Sequence, residues 1–220
     1  MLFAGNNRKK IQKNKSFILS YNLTERKRFK MNKAIFFDRD GVLNIDKDFI
    51  TDINDVVLYE KTPDIIAYCR ILGFKIFIIT NQAAVARGMM PEDKLLQINE
   101  AYKKLLTKQN PDAIIDKIYY CPHHPNANVE KYRINCECRK PHPGMILAAS
   151  KEFNINLNKS YMIGDRMSDI TAGSLAGCKT IHCLTGKHTE KPIISDMKTD
   201  ESLKPDFLIN NISELREIIK

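Results

Sequence analysis

Two carboxylates spaced two residues apart, Asp38 and Asp40, follow the apolar run Ala34-Ile35-Phe36-Phe37 and precede Gly41. The run is β-branched and aromatic, which predicts a buried strand. Side chains alternate along a strand, so both acids leave its end on one side. Gly41 lets the backbone turn sharply just beyond them. Two acids held together are costly unless a cation lies between them. A hard ion such as Mg²⁺ takes oxygen ligands and leaves a position for a phosphate. One acid can then attack while the other moves a proton. The plainer alternative is that both acids only cap the turn.

A second constellation is richer in soft ligands. Cys121-Pro122-His123 is followed, after twelve residues, by Cys136-Glu137-Cys138. Zinc takes three thiolates and an imidazole tetrahedrally, and a closed set of four protein ligands is structural. His124 competes with His123, but Cys-x-His spacing puts both ligands on one side of an extended turn, which favours His123. The spacing is not that of a zinc finger, so no nucleic-acid binding follows from it. Arg139-Lys140 comes directly after Cys138, so an anchored loop would hold two cations at a defined point. A lysine neutralises phosphate as a point charge, and an arginine grips it bidentately. The alternative is an ordinary solvated basic pair.

The elements that must position these groups alternate between strand and helix. The pattern predicts strands over 33–37, 75–79, 113–120, 161–163, 179–184 and 206–209. Helices are expected over 62–72, 91–107, 143–153 and 168–176, with a last one capped by Ser213 and running to Ile219. Residues 45–62 read as an acidic irregular loop, and a second loop carries Arg87-Gly88. Residues 121–140 have few apolar positions and look like an insertion held by something other than a core. Alternation of this kind implies an α/β, Rossmann-like three-layer sandwich: a central parallel sheet, helices on both faces, and a zinc-stabilised loop. Ligands bind such sheets outside the carboxyl ends of the strands. Asp38/Asp40, Thr80/Asn81 and Asp165 all fall at expected strand ends.

Of the 220 residues, 43% are hydrophobic, enough for a packed core. No apolar run approaches the roughly 20 residues that span a bilayer, and nothing resembles a signal peptide. The chain therefore reads as cytoplasmic. The net charge of +9 is unevenly spread: residues 1–30 carry nine Lys+Arg against one acid, Glu25. That segment is expected to be a disordered basic extension or an upstream mis-start, with 31–220 a single domain containing the loop 121–140. A basic arm that binds nucleic acid is the less favoured reading. Of the six cysteines, three cluster, which in a reducing compartment indicates metal rather than disulfides.

With these residues collected, the chain resembles the haloacid dehalogenase superfamily of phosphatases. Its motifs occur in order: Asp38-Arg39-Asp40-Gly41, Thr80 closing a hydrophobic strand, Lys140, and Gly164-Asp165 with Asp169. The match covers residues 33 to about 186. Within the superfamily it is similar to the D-glycero-D-manno-heptose 1,7-bisphosphate 7-phosphatases, through Asn81-Gln82, Ala86-Arg87-Gly88, Tyr119 to Pro125 and Cys136 to Met145. Histidinol-phosphate phosphatases share the zinc loop and resemble the chain less around Arg87-Gly88. A nucleic-acid end-processing phosphatase is a more distant alternative.

The resemblance implies that Asp38 is the nucleophile and forms an aspartyl-phosphate, and that Asp40 is the general acid and then the base. It implies Mg²⁺ held by Asp38, the backbone carbonyl of Asp40, and Asp165, with Thr80 and Lys140 stabilising the phosphoryl group. Asp46, Lys47, Asp48, Phe49, Asn81, Gln82, Ala83, Arg139 and Arg166 would face a small sugar phosphate, in a monomer that feeds nucleotide-activated heptose and lipopolysaccharide synthesis. Asp169 has the weaker claim to metal and would orient Lys140 or bind metal through water. The family usually has Ser-Gly where this chain has Ala83-Ala84, so a hydroxyl contact to the sugar is lost.

Overall fold

The computed structural model describes residues 31–189 and 203–220. The basic segment 1–30, with the expectations attached to it, lies outside the described residues. The strands are β1 (Lys33–Phe37), β2 (Phe74–Asn81), β3 (Lys117–Cys121), β4 (Tyr161–Gly164), β5 (Lys179–Cys183) and β6 (Phe207–Ile209). They form one six-stranded sheet in the order β3-β2-β1-β4-β5-β6, parallel throughout. The helices are α1 (Thr62–Ile71), α2 (Ala83–Ala86), α3 (Glu92–Gln109), α4 (Gly144–Phe153), α5 (Met167–Ala176) and α6 (Leu215–Ile218). No helix among the described residues is long and apolar enough to cross a membrane.

The sheet separates two cores, and strand alternation decides which residue enters which. Ile35 and Phe37 of β1 join Ile76, Ile78 and Ile163 on the face covered by α1, α3 and α6, where Ile65, Tyr102 and Leu215 are buried. Ala34 and Phe36 join Phe77, Ile79 and Met162 on the opposite face, under Met145 and Ile146 of α4 and Ala172 of α5. The run along β1 is apolar on both sides because both sides are covered. The chain leaves β1 outward to β2 and β3, then returns to β4 on the other side of β1. That reversal opens a crevice at the carboxyl ends of β1 and β4.

Several boundaries differ from the sequence reading, each for a local reason. Residues 113–116 are not a strand, although Ala113 and Ile115 are buried. There the Asp116 carboxylate accepts from the Ile76 backbone N–H at 2.8 Å and pairs with Arg70 and Lys75 at 2.9 and 2.7 Å. A side chain thus takes the place of a ladder bond, and pairing begins only at Lys117. β2 runs on to Asn81, so Thr80 lies within the strand. Ser213 does not cap the C-terminal helix; it lies in a 3₁₀ turn over Ile212–Glu214 that Asn211 caps by accepting from the Ser213 N–H, and α6 follows from that turn. The short α2 falls where the sequence predicts a loop.

The insertion 121–140 is less coreless than its composition implies. Ala127 and Tyr132 are buried against Val85, Met90 and Leu95 in a third cluster beneath it. Glu92, the first residue of α3, accepts from both the Tyr120 and Tyr132 hydroxyls at 2.9 Å. Tyr132 of the loop and Tyr120 of β3 are thereby tied to the same end of α3 through polar contacts that hydrophobic periodicity does not register.

Candidate active site

Asp38 is the first residue beyond β1. By alternation it shares the face of Ala34 and Phe36, toward α4 and α5. Lys140 lies just before α4 and Asp169 in the first turn of α5, and both meet Asp38 there. The Lys140 ammonium is 2.8 Å from Asp38 Oδ1 and 2.6 Å from Asp169 Oδ1, and it donates to the Ile79 carbonyl at 2.8 Å. Lys140 is itself placed by β2: its N–H donates to Asn81 Oδ1 and its carbonyl accepts from Asn81 Nδ2, both at 3.1 Å. Burial disfavours the Lys140 cation, but Asp169 and Asp38 outweigh it and hold the ammonium charged.

Asp165 follows β4 and is fully buried. Its Oδ2 accepts from the Lys187 N–H at 2.7 Å, while its Oδ1 has no hydrogen-bond partner. Gly41 approaches this carboxylate so closely that a Cβ would overlap it, and at φ +88 it also needs the left-handed region. Oxygens of Asp38, Asp165 and Asp169 all lie within 4.8 Å of one another. Burial, reinforced by like charge, raises Asp38 to about 7 even though Lys140 opposes the shift. Burial and the neighbouring Asp38 and Asp169 charges raise Asp165 to about 8. An orphaned oxygen aimed into a group of carboxylates with one ammonium among them fits a hard divalent cation such as Mg²⁺.

Asp40 is arranged differently. Its carboxylate accepts from Arg39 Nη2 at 2.8 Å and Nε at 3.2 Å, from Asn44 at 2.9 Å and from Gln82 at 3.0 Å. Burial alone would raise its pKa, but the Arg39 guanidinium and these donors hold it below the usual carboxylate range. Its carboxylate is thus held by four donated hydrogen bonds while still lining the cleft. Gln82 also donates to Thr80 Oγ1 at 2.8 Å, so it braces both Asp40 and Thr80.

These groups form one end of a cleft of about 870 Å³. Asp38, Asp40, Thr80, Asn81, Gln82, Ala83, Arg139, Lys140 and Arg166 line it, as do Asp46, Asp48 and Phe49 of the acidic loop. Lys47 does not; it is exposed. Asp165 lies beneath the floor rather than on the wall. Arg166 pairs with Asp46 at 3.2 Å, and Lys187 pairs with Asp48. Arg139 donates to the His123 carbonyl at 3.0 Å, and the Arg87 guanidinium lies 5.3 Å over the Phe49 ring. Burial, then the nearby Arg139 and Arg87 charges, push His124 below its usual pKa. The wall on the insertion side is thus cationic. Arg87 and Lys187 are cleft residues that sequence spacing does not reveal, because Arg87 is aimed by the short helix α2 that it caps and Lys187 by the turn after β5.

The four ligands of the insertion converge. Cys121, Cys136 and Cys138 have sulfur separations of 3.1 to 3.5 Å, and His123 Nδ1 lies 3.8 Å from Cys121 and 3.5 Å from Cys138. A tetrahedral zinc with bonds of about 2.3 Å needs ligand edges of about 3.7 Å, so the set fits with slight expansion. The His124 Nδ1 instead accepts from the Asn126 N–H at 3.0 Å. Hydrogen bonds from neighbouring thiols, Cys121 first, pull Cys138 down to about 5, so a thiolate is already favoured at one corner.

Comparison with known proteins agrees with this geometry. A family model described as HAD-hydrolase-like matches residues 137–215. The chain is 36% identical over 189 residues to the D-glycero-beta-D-manno-heptose-1,7-bisphosphate 7-phosphatase of Photorhabdus laumondii, covering 85% of this chain and 95% of that one. It is 39% identical over 191 residues to the protein of the same name from Pasteurella multocida, covering 86% and 98%. Among solved structures it is similar to the D,D-heptose 1,7-bisphosphate phosphatase of B. bronchiseptica complexed with magnesium and phosphate. That match has a TM-score of 0.69 and 25% identity, and covers 84% and 97% of the two chains.

Two outcomes follow from the site. Asp38 and Asp165 have folded pKa values above those of the unfolded chain, so the cation-free protein binds more protons than its unfolded state between about 3.8 and 8. These groups therefore contribute stability at low pH that is lost as pH rises through the folded values. Mg²⁺ competes with those protons, so its effect on Tm should be larger at pH 8 than at pH 6; an equal shift at both would contradict a cation held by these acids. Cys136→Ser should abolish stoichiometric zinc and lower Tm by about 5 °C or more. Zinc analysis of purified wild type that finds none under non-chelating conditions would remove the basis for that change.

Proposed function

The chain belongs to the D-glycero-beta-D-manno-heptose-1,7-bisphosphate 7-phosphatase family, and on that premise we propose that it removes the 7-phosphate of the β-anomer of heptose 1,7-bisphosphate. The reaction serves nucleotide-activated heptose and lipopolysaccharide synthesis in the cytoplasm. The observation that carries this reading is the Asp38–Lys140–Asp169 group beside the partnerless Asp165 oxygen, at the closed end of a cleft whose other wall is cationic. Asp38, Asp165 and the Asp40 carbonyl would hold Mg²⁺, which supplies charge to offset the repulsion between carboxylate and phosphate. Cys121, His123, Cys136 and Cys138 would hold a zinc ion, which would fix the insertion.

Asp38 attacks phosphorus. A bond forms between its carboxylate oxygen and phosphorus, and the bond from phosphorus to the sugar oxygen breaks. Asp40 gives a proton to that oxygen, then takes one from the water that attacks the aspartyl-phosphate and releases inorganic phosphate. In the free protein Asp40 is ionised. The negative charge of an incoming phosphate raises its proton affinity, the direction a general acid needs. Lys140 and Thr80 hold the phosphoryl oxygens, and the amide donors of Asn81 and Gln82, bonded to the Lys140 carbonyl, Asp40 and Thr80, brace the groups that do so. The second phosphate of the substrate faces Arg139 and Arg166, and Asp46, Asp48 and Phe49 close over the sugar.

Phosphate release from both anomers of heptose 1,7-bisphosphate, fructose 1,6-bisphosphate and histidinol phosphate, each with Mg²⁺ or chelator, tests the assignment. A kcat/KM preference of at least about 100-fold for the β-heptose compound, lost with chelator, is expected. Preference for histidinol phosphate would reassign the enzyme. Asp38→Asn should lower kcat by at least about 10⁴-fold with an unchanged unfolding curve; near-normal turnover would displace Asp38 as nucleophile.

A further inference from the structure

Arg39 sits between the two acids of the motif, and alternation sends it to the opposite face from Asp38. It continues the line of Ile35 and Phe37 toward α3 and is completely buried. There its guanidinium makes a two-point pair with Asp40, and its remaining arm donates to Asn99 Oδ1 at 3.4 Å. A second route joins the same helix to the same carboxylate. Tyr102, one turn further along α3, donates its hydroxyl to Asn44 Oδ1 at 3.1 Å, and Asn44 Nδ2 donates to Asp40 Oδ1 at 2.9 Å. Asn44 and Tyr102 are fully buried, and Asn99 nearly so. No residue of α3 lines the cleft.

A buried ion pair is weak grounds for stability, because well-packed apolar residues of the same volume do as well or better. What a two-point guanidinium grip does supply is direction. It holds the carboxylate plane of Asp40 at a fixed angle to the end of β1, and Asn99 stops the guanidinium from rotating. Residues three apart on a helix share a face, so one helix surface presents both anchors. We propose that Asn99 and Tyr102 are positioning residues that act through Arg39 and Asn44 to aim Asp40 at the leaving oxygen. This rests on Asp40 being the general acid of the proposed function.

The test compares substrates whose leaving groups differ. A sugar alkoxide needs a proton as the bond to phosphorus breaks, whereas p-nitrophenolate leaves without one. The quantity to measure is kcat/KM, which reports the first displacement. Tyr102→Phe keeps the ring and removes only the donor; Asn99→Ala removes the acceptor. Each should lower kcat/KM for heptose 1,7-bisphosphate by about ten-fold, a fraction of what general acid catalysis supplies in full. Each should lower kcat/KM for p-nitrophenyl phosphate by less than about two-fold, and the double variant should widen the gap. A loss of packing would depress both substrates together, so equal falls, or no fall on the sugar phosphate, would overturn the proposal. Asp40→Asn in the same assays separates the two levels. If it treats both substrates alike, the general-acid reading fails and this inference with it. If it discriminates and the α3 variants do not, the inference alone fails.

Discussion

Crowding of negative charge at one point of the sheet governs the rest of the structure. Asp38 and Asp165 are brought together because β1 and β4 are hydrogen-bonded neighbours, and Asp169 joins them from the first turn of the helix after β4. Burial makes three ionised carboxylates costly there, and the Lys140 ammonium offsets only part of that cost. The same imbalance raises the proton affinity of Asp38 and Asp165 and leaves an oxygen without a partner. Charge that is unfavourable in the free protein becomes affinity for a divalent cation and, with it, for a phosphate. Stability and function draw on the same groups in opposite directions, as expected where strained electrostatics marks a site.

The insertion acts as the frame for the cations. Lys140 and Arg139 follow Cys138 directly, so closing the Cys/His set limits how far either can move. Two further restraints come from outside the loop: the reciprocal hydrogen bonds between Asn81 and Lys140, and the tyrosine pair on Glu92. The loop is therefore held from β2, from α3 and from its own ligands. The cleft wall it forms carries Arg139 and His124, while the opposite wall meets it with Arg166 and Lys187, each already matched by an acid of the loop after β1. An anionic substrate entering this cleft exchanges internal ion pairs for contacts to itself, which favours ligands carrying charge at both ends.

Much of this was legible in the residue order. Apolar runs ending abruptly in acids marked the strands and the reactive end of the sheet, because strands covered on both faces have no polar positions until they leave the core. The Cys/His spacing marked the cluster that the fold brings together, because soft ligands at such density have few uses other than metal. Three things were hidden. The strand expected from 113 starts late because a carboxylate, Asp116, competes for the backbone donor of Ile76. The insertion has a small core because Ala127 and Tyr132 bury against a distant helix. Gln82 lines the cleft and also donates to Asp40 and Thr80, since only the fold brings those acceptors within its reach.

The sequence by itself determined the architecture and the roster of reactive groups, since both follow from local pattern: alternation, apolar runs, and ligands close in the chain. Tertiary structure alone decided how those groups are biased. Arg39 faces α3 rather than the cleft, Asp165 lies beneath the floor with one oxygen free, and Asp40 is braced by its neighbour Arg39 and by residues 4 and 42 positions away. The reason is physical. Which residues a strand can bury is a property of its own sequence, whereas the charge a carboxylate feels depends on every group packed within a few ångströms of it.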